Sequence, residues 1–487
     1  MTSSGKHYYQ EQFRPQLHFS PPSGWMNDPN GLVYYRGQYH LFYQHHPFGT
    51  RVSTMHWGHA VSPDLIQWTH LPIALYPDQI GAIWSGSVVV DADNSSGLVP
   101  NGGLVAMFSY DNQSQGIAYS RDEGQTWTMY AGNPVIPSPG RDFRDPKVCW
   151  HAPTSRWIMI LSAQHEVHFY ASPNLLTWTF LSAFGRDYGA HGSVWECPDL
   201  FPLKVEGSDV SKWVITVSII KNGVAGGSGT QYFIGEFDGE TFIPDSAPET
   251  TLWLDYGPDN YAAVTWNNVP DGRRLLIGWM NNWDYGQEVP TSIWRGAMTL
   301  PRVLKLRNVE GMGLRLVQTP VKALHDDRVN RQQWQDQVIS ETVKLIDGTP
   351  LKAVEIKAEL QLDSAREFGI RLRLDEQQQI SIGYDAANAR LFLDRRAAEH
   401  KSFHDTFPGI YYAPLHANDG WLRLDIVIDW SSLEIFAGDG EVVMTAQIFP
   451  EKPISGLELY TVDGTVRATN VELYQLGSVW RDPLSTE

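Results

Sequence analysis

Three short segments of this chain set a carboxylic acid beside Trp, Arg or Pro: WMNDPNG (Trp25 to Gly31), FRDPKV (Phe143 to Val148) and WECPDL (Trp195 to Leu200). Asp28 and Asp145 directly precede Pro29 and Pro146, and a following proline predicts extended backbone at each acid. Glu196 stands one residue further from its proline, Pro198. Acids gathered in this way suit glycoside hydrolysis, in which one carboxyl protonates the leaving oxygen while another attacks or stabilises the anomeric carbon. That chemistry needs unequal acids. Burial and neighbouring negative charge would keep one protonated, and a donor such as Arg144 would keep its partner ionised.

Taken singly, each segment has a structural reading: DPNG as a turn, Arg144-Asp145 as an ion pair, Glu196 as a rim carboxylate. Their register argues for chemistry. SPDLIQWT begins at Ser62, SRDEGQTWT at Ser120 and SPNLLTWT at Ser172, and a degenerate copy, FDGETF, ends at Phe242. The starts are 58 and 52 residues apart, a little longer than the roughly 40 to 50 residues of common propeller repeats, so each copy reads as a hairpin turn within one blade. Ser120 to Trp127 has the form of an Asp-box turn, in which Asp122 caps backbone amides and has no catalytic part. Asp145 and Glu196 are 51 residues apart, and Asp28 lies 117 before Asp145. Trp84-Ser85 falls midway between Asp28 and Asp145, and Asp259 to Tyr261 about one blade after Glu196. All five places should be equivalent in successive blades, whose innermost strands surround one channel.

The elements that must carry these residues read as all-β: a five-bladed β-propeller followed by a C-terminal β-sandwich. The first two thirds hold short strand-like runs broken by Gly, Pro, Asn and Asp. Past about residue 300, segments such as LKAVEIKAELQL and WLRLDIVIDW alternate apolar and polar side chains, the pattern of strands buried on one face. In the second, Leu422, Leu424, Ile426 and Ile428 share a face opposite Arg423, Asp425 and Asp429, and Asp439-Gly440 makes a hairpin turn. The expected division is 1–325 for the catalytic propeller and 337–487 for the sandwich, joined by the polar segment from Asp326 to Asp336.

Composition excludes other classes. With 37 Lys and Arg against 55 Asp and Glu, a net charge of −18 repels nucleic acid and anionic membranes and favours a neutral substrate. No apolar run approaches a membrane span or a signal peptide, so the expected location is cytoplasmic for a full-length chain and secreted for a mature form. Cys149 and Cys197 allow no disulfide framework and read as buried thiols. The 19 Trp, 21 Tyr and 19 Phe pack a large β-protein and offer flat rings to sugars. His40, His45, His46, His56 and His59 lack metal-site spacing and read as hydrogen-bonded histidines. DADNSSG, from Asp91, has Gly102 where a calcium loop needs Glu and reads as a turn. There is no nucleophile elbow, P-loop or dinucleotide fingerprint, and neither metal nor cofactor is expected.

At the three acidic segments the chain resembles glycoside hydrolase family 32, the invertase, levanase and exo-inulinase group, and the likeness runs through nearly the whole chain. FRPQLHFSPPSGW, IWSGS, GGSGTQYFIGEFDG and SSLEIFAGDG add to it. The resemblance implies a β-fructofuranosidase with Asp28 as nucleophile, Glu196 as acid/base and Asp145 as the stabiliser holding fructosyl hydroxyls. It further implies that Asn27, Gln44, Trp57, Trp84, Ser85, Arg144 and Trp283 line the pocket for the terminal fructose. GGSGTQYFIGEFDG resembles exo-acting members. The stretch HHPFGTRVSTMHWGHA departs from the family by lacking the Trp-Gly pair that many relatives carry before MHWGHA, which puts the pocket shape there in question. The leading expectation is a retaining exo-acting hydrolase of sucrose, levan or inulin, and a monomer. The alternatives are a fructosyltransferase, in which a sugar intercepts the same intermediate, and an inactive carbohydrate-binding protein, against which the intact trio of acids argues.

Overall fold

Runs of β-branched and aromatic residues cut by turn formers leave almost no room for helix, and the computed structural model, which describes residues 9–398, 402–417 and 419–480, contains 34 strands in seven sheets and one four-residue α-helix. Five sheets follow one another along the chain. Their first strands are Gly24–Tyr35, Ile83–Asp91, Phe143–His151, Trp195–Lys204 and Tyr261–Thr265. Each touches the next, and the fifth touches the first, closing a ring around a central channel. Trp294–Arg295 returns to pair with Gly24 and Trp25 in the first blade, and the Met298 amide donates to the Phe19 carbonyl at 2.9 Å, locking the ring. The five-bladed propeller expected from the repeat is present.

The repeat itself makes the outer turns. Asp64 accepts from the amides of Ile66 and Gln67, Asp122 from Thr126, Asn174 from Leu176 and Thr177, and Asp238 from Glu240 and Thr241. Trp68, Trp127 and Trp178 each donate their indole N–H to the carbonyl three residues earlier. These Asp and Asn side chains satisfy amides that the tight turn leaves unpaired, so the motif is structural. Asp91 likewise accepts from the amides and hydroxyls of Ser95 and Ser96, making the DADNSSG segment a turn.

The last third forms two six-stranded antiparallel sheets. Leu422, Leu424, Ile426 and Ile428 lie in the core between them, as the alternation predicts, while Val427 on the other face packs with the propeller. The polar segment expected as the join behaves differently: from Arg328 it is already a strand, Arg328–Ile339, paired with Val466–Leu476 at the sheet edge. One edge strand needs only half of its hydrogen-bonding groups met by a neighbour, so an exposed polar sequence can fill it. The strand Val442–Gln447 is buried along its whole length and docks on the propeller loop before Tyr261, through Tyr256 N to Val443 O (2.8 Å) and Asp259 N to Thr445 O (3.1 Å). Gly440, at φ 89°, sits where a Cβ would lie 2.1 Å from the Gln318 carbonyl, so only glycine allows that approach. No helix among the described residues is long and apolar enough to cross a membrane. Cys197 is buried; Cys149 is only partly so.

Candidate active site

All five innermost strands break register at the same level of the channel. The irregularities fall between Met26 and Pro29, Ile83 and Gly86, Arg144 and Lys147, Glu196 and Asp199, and Tyr261 and Val264. A bulge leaves extra residues unpaired, kinks the strand and re-aims its side chains. Here each bulge holds two residues: Asn27-Asp28, Trp84-Ser85, Asp145-Pro146, Cys197-Pro198 and Ala262-Ala263. The acids therefore share a level but occupy three different places: Asp28 is second in its bulge, Asp145 first, and Glu196 immediately before. Asp145 has φ 65°, and its counterparts Cys197 and Ala262 have φ 47° and 54°. This corrects the extended backbone expected from Pro146, because the bulge holds Asp145 in the left-handed region, a strained state that clusters at functional sites.

Nine of the ten residues singled out in the sequence line one cavity of about 400 Å³: Asp28, Asp145 and Glu196 with Asn27, Gln44, Trp84, Ser85, Arg144 and Trp283. Trp57 does not reach it. Fully buried, it packs on Phe42 and Phe108 and donates its indole N–H to the Trp84 carbonyl at 2.9 Å, so it supports a wall residue. Gln44 lines the cavity and also donates to Ile83 O at 3.2 Å. The stretch lacking the Trp-Gly pair supplies Val52, Ser53 and Met55 to the wall.

Asp28 accepts from Ser85 Oγ at 2.7 Å, from Asn27 Nδ2 at 3.0 Å and from the Cys197 thiol at 3.4 Å. Asn27 is oriented by the indole N–H of Trp25, 2.7 Å from its Oδ1. Asp145 accepts from the Cys197 amide at 3.0 Å, and its own amide donates to Ser109 Oγ at 2.9 Å. Cys197 thus spans the two aspartates, with Sγ also 3.7 Å from Asp145. The Arg144 guanidinium grips Glu196 Oε1 through Nε (2.9 Å) and Nη2 (2.8 Å) and Asp142 through Nη1 (2.9 Å). The Tyr261 hydroxyl donates to Glu196 Oε2. Arg144, expected to keep one of the acids ionised, pairs with Glu196 and Asp142, because its side chain points along the channel wall to the next blade.

The carboxyls of Asp28, Asp142, Asp145 and Glu196 outnumber the guanidiniums of Arg141 and Arg144 along this cavity, which leaves net negative charge there. Burial, then the Glu196 charge, push Asp28 upward against the hydrogen bonds from Ser85, Asn27 and Cys197. Burial pushes Asp145 up to about 7; Arg144 opposes the shift, and Glu196 and Asp28 add to it. Burial would lower Arg144, but the surrounding acids outweigh it and hold the cation charged. The site accordingly keeps a proton near neutrality that separate carboxylic acids would lose.

The sequence reading placed Tyr261 at the right level of the channel without giving it a part, and it passed over Asp142, Gln113 and Cys197. Position in the bulge register was the available signal for Tyr261 and Cys197, whereas Asp142 and Gln113 lie outside the strands and carried none. The five histidines make ordinary contacts: His40 with His59 (3.0 Å), His45 with Trp25 O (2.8 Å), His46 and His56 with Thr54 O (3.1 and 3.2 Å).

Comparison with known proteins agrees with this geometry. Residues 18–320 match the glycosyl hydrolases family 32 N-terminal domain and residues 320–475 the family 32 C-terminal domain. A levanase of Bacillus subtilis (strain 168) is 49% identical over 97% of this chain and 72% of its own length. An extracellular exo-inulinase of Aspergillus awamori is 40% identical over 97% and 96%. The crystal structure of exo-inulinase from Aspergillus awamori superposes with a TM-score of 0.90 at 38% identity, covering 97% of this chain and all of the other. That of β-fructofuranosidase from Schwanniomyces occidentalis, complexed with fructosyl-erythritol, gives 0.89 at 32%, covering 96% and 99%. With three acids of separate blades meeting in one cavity and both halves of the chain matched, this protein belongs to family 32 of the glycosyl hydrolases.

Proposed function

We propose that Asp28 is the nucleophile, Glu196 the general acid/base and Asp145 the holder of fructosyl hydroxyls in this exo-acting, retaining β-fructofuranosidase. The observation that carries the assignment is the difference in donors. Asp28 accepts two short hydrogen bonds from neutral groups, Ser85 and Asn27, which keep a carboxylate oriented without cancelling its charge. Glu196 lies between Arg144 and Tyr261, whose O–H and N–H groups aim one carboxyl at the cavity. Asp145, strained at φ 65°, is fixed by the Cys197 amide.

With a terminal fructosyl unit in the cavity, an Asp28 oxygen attacks its anomeric carbon while Glu196 gives a proton to the departing glycosidic oxygen. The bond to the leaving sugar breaks as the bond to Asp28 forms. Glu196, now ionised, takes a proton from water, whose oxygen attacks the same carbon and frees Asp28. Two inversions restore the starting configuration, which requires the two carboxyls to stand roughly 5 to 5.5 Å apart. Asp145 would accept hydrogen bonds from ring hydroxyls that shorten as positive charge develops on the sugar.

The relatives named levanase and exo-inulinase support polymeric fructans as substrates beside sucrose, with release of single fructose units. In this reading residues up to about 325 form the catalytic unit, and the sandwich, expected over 337–487, takes in the edge strand Arg328–Ile339 as well. Chromatography of products from sucrose, inulin and levan offered side by side tests the proposal. Free fructose as the first product from all active substrates is expected; oligosaccharides longer than the substrate would indicate a transferase, and internal fragments an endo-acting enzyme.

A further inference from the structure

Arg395 belongs to the sandwich, just beyond strand Arg390–Asp394, and is 1% exposed. All five of its N–H groups are engaged. Nη1 donates to Asp259 Oδ2 (2.7 Å) and Gln447 O (2.8 Å), Nη2 to the hydroxyls of Tyr285 (2.8 Å) and Tyr411 (3.1 Å), and Nε to Phe407 O (2.7 Å). A planar guanidinium with every donor occupied has one orientation. Its propeller partners are joined to each other as well, since the Tyr285 hydroxyl donates to Asp259 Oδ1 at 2.6 Å. A second tie, Asn282 Nδ2 to Pro258 O at 2.8 Å, holds the same two loops together.

Neither Asp259 nor Tyr285 lines the cavity. Each stands two residues from a side chain that meets the site: Asp259 before Tyr261, whose hydroxyl donates to Glu196, and Tyr285 after Trp283, which forms part of the wall. Tyr261 and Trp283 also touch edge to face, with ring centroids 6.5 Å apart. Simple adhesion between the domains does not account for so specific a clamp, because a buried ion pair contributes little net stability compared with apolar packing. What a rigid five-point clamp supplies is placement, and errors of about 1 Å in a reacting group can cost on the order of a hundredfold in rate.

The geometry points to Arg395 as a positioning residue for the reaction: from the sandwich it sets, through Asp259 and Tyr285, where Tyr261 meets Glu196 and where Trp283 closes the cavity wall. The inference rests on Glu196 being the acid/base. It makes the second domain part of the catalytic geometry, beyond covering apolar surface.

The test uses the full chain and four single variants, Arg395→Met, Asp259→Asn, Tyr285→Phe and Tyr261→Phe, with the double variant Tyr261→Phe/Tyr285→Phe. Turnover of sucrose is measured as kcat and KM across pH, beside thermal midpoints. Tyr285→Phe removes one oxygen and should stay folded. It is expected to lower kcat about tenfold and to move the pH profile of kcat in the direction that Tyr261→Phe moves it. The double variant should show no further shift, since both changes break one connection. Arg395→Met should act in the same way more strongly; if it fails to fold, Tyr285→Phe and Asp259→Asn carry the decision. Wild-type kcat and pH profile in those two variants, however far their midpoints fall, would overturn the inference, as would independent, multiplying effects in the double variant. Glu196→Ala measured alongside separates the claims: near-normal turnover there ends the assignment of Glu196 and this inference with it, whereas a dead Glu196→Ala beside a normal Tyr285→Phe ends this inference alone.

Discussion

Asp255, Asp429 and Glu434, where sandwich and propeller meet, are fully buried, while of the channel acids Asp145 is buried and Asp28 and Glu196 are half-buried, and the surroundings of the two sets are opposite. His18 lies between Asp429 (2.8 Å) and Glu434 (3.0 Å), and Arg302 between Glu434 (2.6 Å) and Asp255 (3.1 Å). Backbone amides of Gln16 and Leu17 complete Asp429, that of Leu300 Glu434, and those of Gly257 and Thr445 Asp255. In the channel, Arg144 pairs with Glu196 and Asp142, while the hydrogen bonds to Asp28 come from the neutral side chains of Asn27, Ser85 and Cys197, with no backbone donor among them. Burial alone would lower His18, yet its two carboxylate partners raise it to about 9. Both places thus take carboxyls out of water, the interface more completely. Neutralised charge makes a fastening, and unneutralised charge makes a site whose protons are in play.

The largest effects should come from breaking the channel side. Asp28→Ala and Glu196→Ala are each expected to lower kcat by roughly three powers of ten or more while circular dichroism and thermal midpoint stay near those of the parent. Asp145→Asn should lower kcat more than KM. The same change should also alter stability in a pH-dependent way. Asp145 is raised in the folded state, so it favours folding most at low pH and loses that contribution as pH rises through about 7. Asn has no charge to bury, so the midpoint of Asp145→Asn relative to the parent should climb between pH 5 and pH 8.

The interface side should respond in the reverse manner. His18, raised to about 9, stabilises the fold fully below its unfolded value of about 6.5 and loses that contribution as pH passes 9. His18→Gln should therefore lose on the order of 3 kcal/mol at pH 6, by denaturant titration, and much less at pH 10, with kcat unchanged. The smallest expected effect lies outside both sets. Phe48 is 83% exposed and meets His46 and His56 edge-on, on the loop that also supplies Val52, Ser53 and Met55 to the cavity. Phe48→Ala should raise KM for inulin or levan a few-fold by removing a stacking face for outer sugar units, leaving sucrose kinetics intact.

How these regions divided between legible and hidden follows from distance along the chain. The blades repeat locally, so Ser62, Ser120 and Ser172 announced them, and the acids could be placed by counting from those turns. Direction within a bulge is set by neighbouring blades. Hence Trp57 and Trp84 looked alike in sequence although one supports and the other lines, and the sequence did not say which acid Arg144 meets. Asp145 before Pro146 obeyed its bulge and not its local preference. The interface pairs span the chain, Gln16 with Asp429 for example, and no period or motif links residues so far apart. The segment from Asp326 to Asp336 was polar enough to pass for a join because an edge strand is also solvated.

The central claim is that Asp28 attacks the sugar while Glu196 serves as the acid and then the base. A Glu196→Ala chain given a fructoside with a good leaving group should still form the bond to Asp28 but release it slowly. Peptide mass mapping of the quenched protein should then find one fructosyl unit on the peptide carrying Asp28. Continued turnover with no adduct, or an adduct on a peptide carrying Asp145 instead, would contradict the account.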